Sequence, residues 1–111
     1  MEANATRRTF LVEHYWPGVT AAQFRAAAER VRRSAEQLAA GGSDIVFLHS
    51  TLVPEDESAF CVFSAASAEL VADAYRRAGV ALERILDALE IEPRAGLPVR
   101  AAAVPDTEEE P

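Results

Sequence analysis

The chain has 111 residues, half of them apolar, and a formal net charge of -7 at pH 7. This length predicts one small domain with its own core and excludes the large multidomain enzyme folds. The acidic balance repels phosphate backbones and anionic lipids, so we expect neither nucleic-acid nor membrane binding. The single cysteine cannot form an internal disulfide and the start lacks an apolar signal-peptide stretch, so we expect a cytoplasmic protein.

Composition divides the chain into three parts. Residues 1–6 predict a flexible N-terminus, residues 7–92 a folded domain, and residues 93–111 a mobile tail that is rich in proline and ends in acidic residues. We expect no chemistry from the tail. An alternative is that its apolar stretch packs as an extended arm on a neighbouring surface.

The folded part begins with a strand and a long helix. A β-branched and aromatic run over residues 9–15 predicts the strand. Thr20 and Gln23 then form a capping box, which predicts a helix that ends at the pair Gly41 and Gly42. Several arginines of this helix are four residues from a glutamate, which is typical of a solvated, salt-bridged face rather than an anion site.

Two more strands, over residues 44–52 and 59–63, form a predicted hairpin. Ser67 begins a second helix and Gly79 ends it. The segment after that helix is ambiguous, because its apolar residues fit a helix and also alternate as in a strand. We favour a strand that extends to Ile91, because it completes the β-α-β-β-α-β order of a ferredoxin-like α+β fold. That fold has a four-stranded antiparallel sheet with two helices on one face.

Chemically active side chains fall in three of the predicted strands. Side-chain alternation sends Glu13, His49 and Cys61 to the face opposite the helices, where adjacent strands bring them together. In this arrangement the residues that face the helices are Phe10, Val12, Val46, Leu48, Phe60 and Val62. A carboxylate, an imidazole and a thiol that converge in this way predict a site for a divalent transition metal. His14 points to the helix side and is a weaker ligand candidate, unless a β-bulge reverses the faces.

The face opposite the helices, which we call the open face, is otherwise predicted to be hydrophobic. Its apolar members are Leu11, Ile45, Phe47 and Phe63. A patch of this kind is unfavourable in water, so we expect a second copy of the chain to cover it in a homodimer.

Five short segments carry a family resemblance: residues 11–18 (LVEHYWPG), 47–50 (FLHS), 61–63 (CVF), 74–79 (AYRRAG) and 83–85 (ERI). Together they resemble a family of small bacterial proteins, long catalogued as a domain of unknown function, that includes nickel-binding members. The resemblance implies a ferredoxin-like domain that dimerises through its sheets, with nickel or another divalent transition metal as its ligand. In the family that the chain resembles, many members carry histidine at the position of Tyr75. This chain lacks that imidazole, so other residues must provide the metal ligands here.

Other interpretations of the same residues stay open. In a structural one, Cys61 is a small buried hydrophobe, His49 bonds to backbone or water, and Glu13 hydrogen-bonds across a dimer interface, with Arg84 as its candidate partner. In another, the protein binds a small apolar ligand. Catalysis is less favoured, because the chain has no phosphate-binding glycine loop or nucleophile elbow and a flat sheet face offers no oxyanion donors. The sequence therefore predicts a binding protein more than an enzyme.

Overall fold

The structure, a computed structural model, describes residues 7–91. The predicted N-terminal segment 1–6 and the predicted tail 93–111 lie outside the described residues. In chain order the elements are β1 (Arg8–Tyr15), α1 (Ala21–Ala40), β2 (Ile45–Val53), a 3-10 turn (Pro54–Asp56), β3 (Ser58–Ala65), α2 (Ala68–Ala78) and β4 (Arg84–Ala88). This order confirms the predicted ferredoxin-like α+β fold.

The sheet has the strand order β2-β3-β1-β4, and every neighbouring pair is antiparallel. Thus β1 and β3 are central, and β2 and β4 are the edges. The segment whose structure was ambiguous is a strand, as predicted: Ile85 lies opposite Val12 of β1. It protects an edge of β1 that would otherwise be open to other chains. However, β4 ends at Ala88 and not at the predicted Ile91. None of the helices within residues 7–91 is long and apolar enough to cross a membrane.

Both helices begin and end where the local sequence predicts. Thr20 Oγ1 accepts a hydrogen bond from the Gln23 amide at 3.0 Å, and the Gln23 side chain accepts one from the Thr20 amide at 2.9 Å. This capping box satisfies amide groups that the first turn of a helix leaves without partners. Ser67 caps α2 by accepting from the Leu70 amide at 3.3 Å. Gly79 ends α2 with a φ of 70°, a left-handed conformation that favours glycine.

The core lies between the sheet and the two helices, and aromatic side chains form its centre. The ring of Phe63 packs edge-on against Phe47, with centroids 5.1 Å apart, and against Tyr75 of α2 at 5.9 Å. Such edge-to-face contacts add to the stability that burial gives. The two helices are joined by a hydrogen bond from Ser34 Oγ to the Ala74 carbonyl at 2.7 Å. The helices and the sheet therefore share one packed interior.

The predicted orientation of β3 is wrong. Residues directly opposite each other in an antiparallel pair share a face, and Phe10 lies opposite Phe63 while Val12 lies opposite Cys61. Phe10 and Val12 are 1% and 0% exposed beneath the helices. Phe63 and Cys61 therefore also face the helices, and Val62 faces the open side. The cause is that β3 is a central strand with apolar residues on both faces, so alternation does not distinguish them.

The predicted orientation of β2 is wrong in its first half. Ile45 is buried and Phe47 lies opposite Phe63, so both face the helices. A β-bulge between Phe47 and His49 then shifts the register, which places Leu48 and His49 on the open side. His49 thus lies on the predicted face, but only because of the bulge. The residues that were predicted to face the helices and instead lie on the open face are Val46, Leu48, Phe60 and Val62.

The capping box gives a test of how α1 is stabilised. Thr20→Ala removes the side-chain acceptor of the first turn and should lower the free energy of unfolding by about 1 kcal/mol. Urea denaturation followed by circular dichroism measures the loss. Gln37→Ala, at an exposed position later in the same helix, is the control and should change the free energy by less than about 0.5 kcal/mol. Equal effects of the two substitutions would show that the cap contributes nothing.

Candidate functional site

The residues predicted to bind a metal lie on opposite sides of the sheet. Glu13 and His49 are on the open face, whereas Cys61 is 1% exposed beneath the helices. The predicted convergence of these three side chains on one face is therefore wrong, because the inward turn of β3 takes Cys61 away from the other two. Within residues 7–91, no group of three or more His, Cys, Asp or Glu side chains is placed to hold a metal ion.

On the open face, Glu13 is paired with Arg84 of β4. The Arg84 guanidinium donates to the carboxylate at 2.7 Å through Nε and at 3.4 Å through Nη2. The two residues lie opposite each other in the β1–β4 ladder, so this is a cross-strand ion pair. The structural interpretation of the sequence named the same two residues but placed their contact across a dimer interface, whereas here they pair within one chain. A metal at this carboxylate would have to displace the guanidinium.

His49 is exposed on the edge strand β2. It lies opposite Val62 of β3, whereas Glu13 lies opposite Phe60 on the other side of the same strand. Strand β3 therefore separates the imidazole from the carboxylate, and the two residues are also offset by two positions along it, which by ordinary strand spacing puts their backbones about 12 Å apart. The open face of one chain therefore does not place these two metal donors close together.

Beneath the helices, three polar side chains form a buried cluster, which we call the His14–Tyr75–Cys61 cluster. His14 Nε2 and the Tyr75 hydroxyl are 2.9 Å apart. The two side chains are 6% and 1% exposed. The Cys61 side chain lies next to the same tyrosine, and all three side chains line one small cavity. As the sequence predicted, His14 points to the helix side, and there it meets Cys61 through Tyr75.

Burial keeps all three groups of this cluster neutral. It lowers the pKa of His14 below the ordinary 6.5, although a hydrogen bond to the Ala81 carbonyl acts in the opposite direction. Burial also raises the pKa of the Cys61 thiol and of the Tyr75 phenol. The direction of the hydrogen bond between His14 Nε2 and the Tyr75 hydroxyl depends on the tautomer of the imidazole.

An open cleft of about 470 Å³ lies beside the cluster. Its lining includes His14 of β1, Trp16 just after β1, Arg30 of α1, and residues 79–83 between α2 and β4. His14 also lines a smaller adjoining cavity that contains Cys61 and Tyr75. His14 therefore connects the buried cluster to the cleft.

The sequence analysis did not find this cleft. Its lining comes from three distant segments, each of which has an ordinary structural role when considered alone. The one available signal was the orientation of His14, a polar side chain predicted to lie among apolar residues on the helix side. Buried polar groups of this kind need partners, and their partners often mark a site.

The fold and the buried cluster define a small ferredoxin-like α+β domain. By sequence, the chain belongs to the nickel responsive protein SCO4226-like family, whose model matches residues 10–87. This confirms the predicted family resemblance. The structure is also similar to the crystal structure of SCO4226 from Streptomyces coelicolor A3(2), with 20% sequence identity and a TM-score of 0.64 over 76% of this chain and 99% of that chain. At this identity the match shows the shared fold. No curated protein matches the chain in sequence.

The buried imidazole predicts a pH dependence of stability. The pKa of His14 is lower in the folded chain than its value of 6.5 in the unfolded chain, so the unfolded chain binds more protons as the pH falls. The contribution of neutral His14 is complete above about pH 6.5 and is lost progressively below it, at about 1.4 kcal/mol per unit of pKa shift. Urea denaturation at about pH 7.5 and about pH 5.5 should show this loss.

The control for this experiment is the other histidine. His14→Gln should reduce the difference in unfolding free energy between the two pH values, whereas His49→Gln, at the exposed position, should leave it as in the wild type. A His14→Gln protein with the full wild-type difference would show that carboxylates alone cause the acid sensitivity.

Proposed function

We propose that the protein binds a divalent ion of the nickel group at the His14–Tyr75–Cys61 cluster and acts as a homodimer. The observation that carries this proposal is the grouping of His14, Tyr75 and Cys61 around one small cavity, with His14 Nε2 2.9 Å from the Tyr75 hydroxyl. Imidazole nitrogen and thiolate sulfur are donors that suit nickel, copper and zinc and do not suit magnesium or calcium. Membership in the nickel responsive family supports nickel among these ions.

The donors fit such an ion better beneath the helices than on the open face. On the open face, Glu13 is already paired with Arg84 and His49 lies beyond an intervening strand. In the cluster, His14 and Cys61 would hold the ion, and both side chains line the same small cavity. A bound divalent ion supplies positive charge that favours the thiolate over the thiol.

Access and ligand number set the expected strength of the site. His14 lines the open cleft, so an ion has a path to the imidazole from solvent. Two protein donors leave several positions for water or another ligand, which is the arrangement of an open site. The sequence resemblance implies that many relatives carry histidine where Tyr75 stands. This chain then has one imidazole fewer, and we expect modest affinity.

Assembly as a homodimer is supported by the composition of the open face. Val46 and Leu48 are 43% and 46% exposed there. Partly exposed apolar side chains extend this patch across all four strands; they are Leu11, Phe60 and Leu86. The patch is apolar in its middle, and the Glu13–Arg84 ion pair lies beside it. A second copy that meets the same face would remove these side chains from water.

Nickel titration calorimetry on protein purified without an affinity tag or chelator tests the metal site. His14→Ala and Cys61→Ser should each weaken binding by about tenfold or more, because each removes one of two donors. Tyr75→His adds an imidazole and should tighten binding by a similar factor. His49→Ala, on the open face, is the matched control and should bind as the wild type does.

Two results would contradict this assignment. Loss of binding in His49→Ala together with normal binding in His14→Ala would place the site on the open face. A wild-type protein that does not bind nickel at all, while Tyr75→His does, would show that the tyrosine has removed the metal function from this chain.

Sedimentation velocity tests the dimer. The wild type should be a dimer at micromolar concentration, with a total buried area above about 1,000 Å². Leu48→Glu places a charge in the apolar patch and should shift the protein to monomer, because an unpaired buried charge is costly. Leu89→Glu is the control, since Leu89 is 83% exposed and lies after the end of β4. A monomeric wild type at about 100 μM would contradict the proposal.

A further inference from the structure

The open cleft contains one positive and one negative side chain that do not pair with each other. Arg30 of α1 and Glu83 of the segment before β4 both line it. Among the ion pairs formed between residues 7–91, none includes either side chain. By contrast, most other arginines of the helices are paired with a nearby acidic residue. The cleft therefore presents two separate charges of opposite sign.

The guanidinium of Arg30 is oriented by the backbone of α2. Its Nε donates to the Ala78 carbonyl at 3.3 Å. A guanidinium has five N–H donors, so this hydrogen bond leaves the two terminal amino groups available for another acceptor. Two parallel donors of this kind match the two oxygens of a carboxylate. Arg30 is thus placed to bind a carboxylate that enters the cleft.

The position of Glu83 is fixed by the sheet. Its backbone amide donates to the Glu13 carbonyl at 2.7 Å, which ties the segment to the end of β1. The side chain is exposed and lines the cleft. Its carboxylate would repel a purely anionic ligand and would accept hydrogen bonds from an ammonium group.

Apolar side chains form part of the wall of the cleft. Trp16 lines it together with Val80 and Leu82, which also pack against the core. The volume of about 470 Å³ is within the range of about 300–1,000 Å³ that is typical of small-ligand sites. Apolar walls with a few convergent polar groups are the usual composition of such sites.

We propose that the cleft binds a free α-amino acid with an apolar side chain. The carboxylate would pair with Arg30 and the ammonium group with Glu83, while the side chain packs against Trp16, Val80 and Leu82. A zwitterion satisfies both unpaired charges, whereas an anion or a cation of the same size satisfies one and faces repulsion from the other. This site does not depend on the metal proposal, since neither Arg30 nor Glu83 is a proposed metal donor.

Trp16 provides a direct measurement, because it is the only tryptophan of the chain and lines the cleft. L-leucine and L-phenylalanine, titrated with a chelator present, should change its fluorescence saturably with a dissociation constant of about 1 mM or lower. For leucine, 4-methylpentanoate lacks the ammonium group and 3-methylbutylamine lacks the carboxylate, so each should bind about tenfold more weakly or worse. Glycine, which lacks the side chain, should also bind more weakly.

Substitutions then test whether Arg30 and Glu83 bind the charged groups of the amino acid. Arg30→Gln and Glu83→Gln should each weaken binding of the amino acid by about tenfold or more. Arg33→Gln, on the same helix but paired with Glu29 away from the cleft, is the matched control and should bind as the wild type does. Circular dichroism of each variant checks that the fold is retained.

The proposal is overturned if neither amino acid changes the Trp16 signal saturably, if the amine or the acid alone binds as tightly as leucine, or if both charge variants keep wild-type affinity. Nickel calorimetry on chelator-free protein from the same preparations distinguishes the two proposals. Amino-acid binding without nickel binding would support this site and contradict the proposed metal function. Nickel binding without amino-acid binding would support the metal function and contradict this site.

Discussion

The antiparallel pairing of β1 with β3 determines the rest of the structure. These two central strands place Phe10 opposite Phe63 and Val12 opposite Cys61, and the helices pack over this double row. Because directly opposed residues share a face, the register of one pair fixes which side chains of both strands enter the core. The same row continues to His14, which meets Tyr75 of α2. The core, the buried cluster and the floor of the cleft are therefore consequences of a single strand register.

The elements of the fold were predictable because their signals are local. The capping box at Thr20 and the left-handed glycine at Gly79 depend on a few neighbouring residues, and the structure has both. The strand after α2 is different, since periodicity alone allowed a helix there. It was predicted from the topology, because a missing partner would leave β1 as an apolar edge. Its early end at Ala88 was not predictable, since apolar alternation in the sequence continues beyond the last residue paired with β1.

The faces of β2 and β3 were not predictable for a physical reason. The run Phe60, Cys61, Val62, Phe63 is apolar at every position, so alternation gives no preference for either face. In β2 a bulge changes the register within the strand, and no residue in that segment predicts it. Strand β1 differs, because Glu13 interrupts its apolar residues and fixes the orientation. This is why the position of His14 was predicted correctly and that of Cys61 was not.

The hydrogen bond between His14 Nε2 and the Tyr75 hydroxyl explains how the core tolerates these two polar side chains. Each would be destabilising if buried alone, but each satisfies the other. A ligand that takes His14 Nε2 must break the bond to Tyr75, at a cost of about 1–3 kcal/mol. Since about 1.4 kcal/mol corresponds to a tenfold change in affinity, a ligand at this atom must offset a loss of roughly 5- to 150-fold. A ligand held by Arg30 and Glu83 avoids that cost, because it leaves the hydrogen bond between His14 and Tyr75 intact. The cleft and the cluster are adjacent in space, but only a ligand of the cluster has to break the hydrogen bond between His14 and Tyr75.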